Sequence, residues 1–127
     1  MSLRSDLGRV KGLGSAKAGV HHWRLQRLTA LALVPLSLWF VASLMCVFKA
    51  SHAEVVQWVA QPHVTVLLLA LSIALFWHLT LGVQVVIEDY VRTPWKQVVG
   101  QVLLRAGAGL GGLLAVVSIL KISLGLN

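Results

Sequence analysis

The sequence predicts an all-α integral membrane protein with three transmembrane helices. The chain has 127 residues, of which 57% are hydrophobic, and its mean hydropathy is +0.83. An α-helix rises ~1.5 Å per residue, so about 20 apolar residues cross the hydrocarbon core of a bilayer. Three apolar segments meet that length, at residues 28–48, 64–87 and 102–124. We expect one membrane domain over residues 1–127.

Local signals refine these three predicted spans. The second contains no Asp, Glu, Lys or Arg, whereas the third has Arg105 near one end and Lys121 near the other, and both side chains can extend to the membrane interface. Residues 51–54, Ser-His-Ala-Glu, form a capping-box pattern that predicts a short helix on the outer surface, ending at Pro62. Thr93-Pro94 has the pattern of an N-cap followed by proline at the first helical position.

The distribution of charge predicts the orientation of the chain. Lys and Arg number 11 against 4 Asp and Glu, and residues 1–27 alone carry +5 of the total net charge of +7. Basic residues beside a first span mark the cytoplasmic side. We therefore predict a basic cytoplasmic arm over residues 1–27 and a C-terminus on the opposite side. Residues 1–20 of the arm are glycine-rich and have no apolar period, so we expect them to be loosely ordered. The excess of bases indicates attraction to membrane lipid headgroups, not binding of nucleic acid.

His78 is the residue that says most about function. It lies in the uncharged second span, nine residues before Ile87 and thus ~13 Å from the cytoplasmic surface, where a polar ring needs a partner, a cavity or a function. Ala70, Ala74 and Gly82 recur at intervals of four from it and share its helical face. Because the side chains on that face are small, either a flat group could lie against it or the backbone of another helix could approach it closely.

Further polar residues are expected on the cytoplasmic side of His78. Arg27 begins the first span there with His21 before it, and Asp89 and Tyr90 follow the second span. Haem b needs an imidazole for its iron and cationic groups for its propionates, and a quinone needs an apolar slot and a hydroxyl donor. Taken singly, each residue also has a structural explanation: a histidine that bonds another helix, an interfacial arginine, an interfacial aromatic.

The pattern as a whole resembles the smaller hydrophobic membrane anchor of succinate dehydrogenase (complex II). The resemblance extends over the basic arm and all three spans. The motifs that carry it are Gly19-Val20-His21, Arg27-Leu28-Thr29-Ala30 and above all His78-x3-Gly82-x-Gln84-x4-Asp89-Tyr90.

This resemblance implies a role for each candidate residue. His78 would be one axial ligand of the haem b iron, and the other membrane anchor of the complex, a protein of the cytochrome b556 type, would supply the second. Arg27 and His21 would face the haem propionates. Tyr90 would hydrogen-bond ubiquinone, with Asp89 beside it. No role is implied for three further histidines, at His22, His52 and His63.

The resemblance also implies the setting in which the chain works. It would be a subunit without catalytic residues in a bacterial inner membrane, docking the iron–sulfur and flavoprotein subunits. Electrons would pass from succinate to ubiquinone, linking the tricarboxylic acid cycle to the respiratory chain. With a single Cys and no Rossmann fingerprint, the chain cannot oxidise succinate alone.

Two alternatives stay open at this point. The first is an anchor without haem, either quinone-reactive or purely structural, as in some fumarate reductases. The second is a small transporter or channel subunit in which His78 relays protons. Such proteins usually place several ionisable groups along a path, whereas here only one lies deep in a span.

The charge asymmetry yields a prediction about topology. Because basic residues are retained on the cytoplasmic side, residues 1–27 should stay in the cytoplasm and Asn127 should lie across the membrane. A reporter that is active only in the cytoplasm should be active at the N-terminus and inactive when fused after Asn127. Cytoplasmic activity at both ends would exclude the three-span topology.

Overall fold

The fold is all-α, as predicted. The computed structural model describes residues 5–10 and 18–126, and that part of the chain contains no strand. Its helices, in chain order, are α1 (Asp6–Val10), α2 (Ala18–Val47), α3 (His52–Val59), α4 (Pro62–Tyr90) and α5 (Pro94–Ser123).

Three of these helices, α2, α4 and α5, are long and apolar enough to cross a membrane. They contain 30, 29 and 30 residues, or ~45 Å of helix each. The three spans predicted from the sequence lie inside them, apart from one residue at the C-terminal end of the first and of the third. The helices are longer than the hydrocarbon core is thick, because helical hydrogen bonding continues into the polar interface. Hydropathy does not identify these helix ends, since many of their residues are polar.

The connections between the long helices are shorter than the apolar segments suggest. Most of the stretch between the second and third predicted spans, residues 88–101, is helical, since α4 continues to Tyr90 and α5 begins at Pro94. Pro94 is the first residue of α5, as the Thr93-Pro94 pattern predicted, although the Thr93 side chain makes no capping hydrogen bond. The prediction of loose order over residues 1–20 is wrong for residues 6–10, which form α1, and for residues 18–20, which begin α2. Residues 1–4 and 11–17 of the arm lie outside the described residues.

The short helix α3 confirms the capping box. The Ser51 backbone N–H donates to a Glu54 carboxylate oxygen at 2.6 Å, and the Glu54 N–H donates to the Ser51 hydroxyl at 3.4 Å. The Ser51 side chain, and after it the Ser51 backbone, lower the pKa of the exposed Glu54 carboxyl below its ordinary value by hydrogen bonding to it. The helix ends at Val59, and Pro62 begins α4 instead of closing α3.

The central helix is α4, which packs against α2 on one side and α5 on the other, while α3 contacts both α4 and α5. The best-buried cluster lies where α3 meets α4. It comprises Val59, Val64 and Leu68, with Trp39, Phe40, Trp58 and Ile119 packed around it. The buried Thr65 hydroxyl donates to the Val59 carbonyl at 2.7 Å and lies 2.9 Å from the Ser123 hydroxyl, so α3, α4 and α5 are joined at this end.

Small residues allow α5 to approach α4 closely. Ala108 is buried, and a Cβ added to Gly111 or Gly112 would lie 2.8 Å or 3.4 Å from the ring of Phe76. A Cβ added to Gly107 would have no neighbour within 4 Å. Gly111 and Gly112 therefore leave room for the Phe76 ring, whereas Gly107 faces open space.

This difference predicts opposite effects of two matched substitutions. Replacing glycine by alanine within a helix favours the helix by about 1 kcal/mol, and Gly107→Ala should show that gain. Gly111→Ala should lose about 1–3 kcal/mol from overpacking against Phe76. Unfolding of the purified chain in mixed micelles, followed by circular dichroism, measures both. Equal stability of the two variants would contradict the close approach at Gly111.

Candidate functional site at the α2–α4 interface

His78 points from α4 towards α2 and is half-buried. Its Nδ1 lies 2.9 Å from the Thr29 hydroxyl oxygen, and its Nε2 lies 3.3 Å from the amide nitrogen of Gln26. The sequence left two possibilities for the face of small residues around His78, a flat group or another backbone. In this chain α2 occupies that face, and both ring nitrogens contact side chains of α2.

The local sequence of α2 explains this contact. His22, Gln26 and Thr29 are spaced by four and three residues, so they share one helical face. The Thr29 hydroxyl also lies 2.9 Å from the Leu25 carbonyl and 3.0 Å from the Gln26 carbonyl. Sequence analysis gave no role to Gln26 or Thr29. The signal that could have found them was this 4-3 spacing of polar residues at the start of an apolar helix.

The polar strip formed by His22, Gln26 and Thr29 is not fully satisfied by the described residues. The Nε2 atom of His22 and the Oε1 atom of Gln26 are both buried and have no hydrogen-bond partner there. Buried polar atoms are nearly always paired in folded proteins. A hydrogen-bond partner for either atom would have to come from outside the described residues.

An apolar groove of about 250 Å³ adjoins the polar contact, on the side towards α3. Ala70 and Ala74 line it from α4, facing Ala32 and Thr29 on α2. Its full lining is Leu28, Thr29, Ala32, Ala70, Ile73, Ala74 and Trp77. The two alanines predicted to share the face of His78 thus border an open groove, while Gly82 faces the Gln26 side chain.

The structure does not bring the two predicted propionate residues into contact with His78. Arg27 and His21 are both exposed on α2, and neither side chain forms a hydrogen bond with another described residue. The Arg27 guanidinium instead lies 5.0 Å from the ring centroid of Trp23. Their positions near a haem stay a prediction.

Tyr90 lies at the last residue of α4 and is 83% exposed, with the exposed Asp89 before it. Neither side chain hydrogen-bonds another described residue. Glu88 is different, because its carboxylate accepts from Gln84 at 2.8 Å and from Gln101 at 3.1 Å. Twelve residues, or ~18 Å of helix, separate Tyr90 from His78. The two residues are therefore distinct positions on one helix, not one cluster.

No group of three or more His, Cys, Asp or Glu side chains comes together in the described part of the chain. The imidazole of His78 and, on the polar strip of α2, that of His22 are what this interface presents to a metal. The predicted second axial ligand from another chain remains a prediction.

Comparison with known proteins identifies the family. The profile of the succinate dehydrogenase/fumarate reductase transmembrane subunit matches residues 1–120. The chain belongs to this family. It is 42% identical over 89 residues to the succinate dehydrogenase hydrophobic membrane anchor subunit of Rickettsia bellii (strain RML369-C). The aligned region covers 69% of this chain and 70% of that protein.

More distant relatives carry the same description. The succinate dehydrogenase membrane anchor subunit of Reclinomonas americana is 30% identical over 92 residues, covering 70% of this chain and 77% of that protein. The hydrophobic membrane anchor subunit of Rickettsia typhi is 33% identical over 90 residues, covering 69% and 70%. No solved structure matches the chain significantly. The family expected from the sequence motifs is confirmed.

Proposed function

We propose that this chain is the hydrophobic membrane anchor of a succinate dehydrogenase in a bacterial inner membrane. In that role it contributes His78 as one axial ligand of a haem b shared with a second membrane anchor, and Tyr90 to a ubiquinone site. Family membership and the relatives named above support the anchoring role. The observation that carries the haem proposal is a half-buried imidazole within an apolar helix pair, beside two unpartnered polar atoms.

The residues at the interface fit an iron ligand. The contact between His78 Nε2 and the Gln26 amide is 3.3 Å long, beyond the usual range for such bonds, and the amide oxygen of Gln26 has no partner to hold it in place. A rotation of the Gln26 side chain would therefore release Nε2 for coordination. When bound, haem would supply one-electron redox chemistry. The protein's part is to hold the imidazole and to exclude water from it.

The cytoplasmic end of α2 suits the negatively charged propionates of such a haem. Arg27 follows Gln26 directly, and His21 lies in the turn before. Arginine pairs well with carboxylates because its guanidinium can donate two parallel hydrogen bonds. The Arg27 side chain is exposed and its described contact is the Trp23 ring, so it is available to a carboxylate.

Tyr90 fits the quinone part of the proposal. Its hydroxyl is unengaged by the described residues, while the adjacent Glu88 is held by glutamines of α4 and α5. A phenolic O–H can donate to a quinone carbonyl and stabilise the oxygen as it gains electron density. The exposure of Tyr90 and Asp89 leaves this end open to cover by the iron–sulfur and flavoprotein subunits, which we place on the cytoplasmic face.

One observation favours a second candidate function, an anchor without haem. Both ring nitrogens of His78 already have contacts within the chain, so the imidazole could serve only to join α2 to α4. A reduced-minus-oxidised spectrum of the complex purified with its partners separates the two candidates. Absorbance of a b-type haem supports the first, and its absence from a fully assembled complex supports the second.

The haem proposal predicts the effect of removing the ligand. His78→Ala should lose haem b or hold it only loosely, because one axial bond to the iron is gone while the partner's ligand remains. Haem content and the difference spectrum of the co-purified complex measure this. His52→Ala, at an exposed histidine on α3, is the control and should keep wild-type haem. Wild-type haem in both variants would show that His78 is not the ligand.

The quinone proposal predicts a selective defect. Tyr90→Phe keeps the shape of the ring but removes one hydrogen bond to the quinone oxygen. Such a bond is commonly worth about 1–3 kcal/mol, or roughly ten- to a hundred-fold in rate. Succinate–quinone turnover should fall by that factor, while reduction of a dye that accepts electrons from the soluble subunits should be unchanged. Equal quinone rates in mutant and wild type would leave Tyr90 as an interfacial aromatic only.

A further inference from the structure

We infer that Thr29 is a positioning residue that fixes the tautomer and the orientation of His78. The inference concerns which ring nitrogen carries the proton, and its link to haem rests on the function proposed above. Only the nitrogen without a proton can give its lone pair to iron. The residue that selects this nitrogen therefore decides whether His78 is ready to act as a ligand.

The argument begins with the single proton of the Thr29 hydroxyl. Two backbone carbonyls of its own helix, those of Leu25 and Gln26, lie 2.9 Å and 3.0 Å from the hydroxyl oxygen and can only accept. The hydroxyl proton is directed to this pair of carbonyls. What the oxygen presents to His78 Nδ1, also at 2.9 Å, is then a lone pair. Nδ1 must donate, so it carries the ring proton.

The contact at the other nitrogen requires the same tautomer. The Gln26 amide nitrogen is a donor only, and it lies 3.3 Å from His78 Nε2. That contact is favourable only if Nε2 has a free lone pair. A neutral imidazole has one N–H, so the two contacts agree on a proton at Nδ1 and a lone pair at Nε2. The chain alone thus holds the tautomer that an iron ligand needs.

The two contacts have different roles when a ligand binds. The longer Gln26 contact must be given up, because it occupies the same lone pair that iron would take. The shorter Thr29 contact is on the far nitrogen and is retained. Hydrogen bonds to the second nitrogen of a metal-bound histidine orient the ring and raise its basicity, and their removal typically lowers metal affinity by about ten- to a hundred-fold.

The first test needs no haem. The full chain, with ¹⁵N-labelled histidine, is reconstituted in lipid nanodiscs, and the His78→Ala spectrum identifies the signals of His78. The wild type should show a protonated Nδ1 and an unprotonated Nε2. Thr29→Val, which keeps the shape without the hydroxyl, should show a second population with the proton on Nε2, because the remaining 3.3 Å Gln26 contact is the weaker of the two. Thr29→Ser should restore the wild-type pattern. An unchanged pattern in Thr29→Val, or a proton on Nε2 in the wild type, would overturn the inference.

Thr80→Val is the matched control. The Thr80 hydroxyl donates to the Phe76 carbonyl at 2.7 Å, the same bond to its own helix that Thr29 makes, but it does not contact His78. This variant loses one such bond without touching the imidazole, so its His78 signals should match the wild type. A tautomer mixture in Thr80→Val as large as in Thr29→Val would assign the effect to general loosening of the helices and overturn the inference.

The second test uses the assembled complex. In Thr29→Val the haem should be held about ten-fold more weakly, and its midpoint potential should rise, because a less basic imidazole stabilises ferric iron less. Thr29→Ser and Thr80→Val should keep the wild-type potential. A wild-type potential in Thr29→Val would refute the positioning role. If Thr29→Val does not assemble, Thr29→Ala carries the same expectation. A wild-type complex without haem would refute the proposed function, while the nanodisc spectra would still decide the role of Thr29.

Discussion

The contact between His78 and Thr29 is the interaction on which the arrangement of the helices around the site depends. A polar ring inside hydrocarbon is costly unless another polar group satisfies it. Here the partner comes from α2, at 2.9 Å, and this fixes which turn of α2 lies opposite which turn of α4. Because of that register, the start of α2 and the end of α4 lie at the same end of the bundle. Arg27, between Gln26 and Thr29 in the chain, lies at the level of His78, whereas Tyr90 lies ~18 Å further towards that end of the bundle.

The two ends of the bundle are packed differently. Near α3, Val59, Val64 and Thr65 are buried and side-chain hydrogen bonds join three helices. At the contact with α2, His78, Gln26 and Thr29 are only half-buried, and two buried polar atoms lack partners among the described residues. Lipid tails are as apolar as the side chains, so burial alone does not drive helices together in a membrane. Close contacts hold the α3 end, and the proposed cofactors and partner subunits would contact the other end.

The helix α4 carries both proposed functions and keeps them apart. His78 faces α2, whereas Tyr90 projects from the last turn, ~18 Å further along the helix. On its other side α4 is held by α5, through Phe76 against glycines and through Glu88, which accepts hydrogen bonds from Gln97 and Gln101 of α5. Because α4 is one continuous helix that packs against α2 and α5, the separation between His78 and Tyr90 is fixed. The haem ligand and the quinone donor can therefore be supplied by one rigid element of the anchor.

The sequence by itself determined the features that depend on residues close together in the chain, namely the helical spans and the helix caps. Apolar runs predicted the three spans, and Ser51 with Glu54 predicted α3, because helix formation and capping are local. Helix boundaries predicted from hydropathy alone were less accurate: α2 begins at Ala18, well before the predicted span at residue 28. The start of α5 at Pro94 was predicted correctly, because Thr93-Pro94 is a local signal.

The identity of the groups around His78 was decided by tertiary structure alone. Thr29 and Gln26 lie 49 and 52 residues away in the chain. Only the packing of α2 against α4 brings them to the imidazole, because the register between two helices follows from their combined surfaces and not from either sequence read locally.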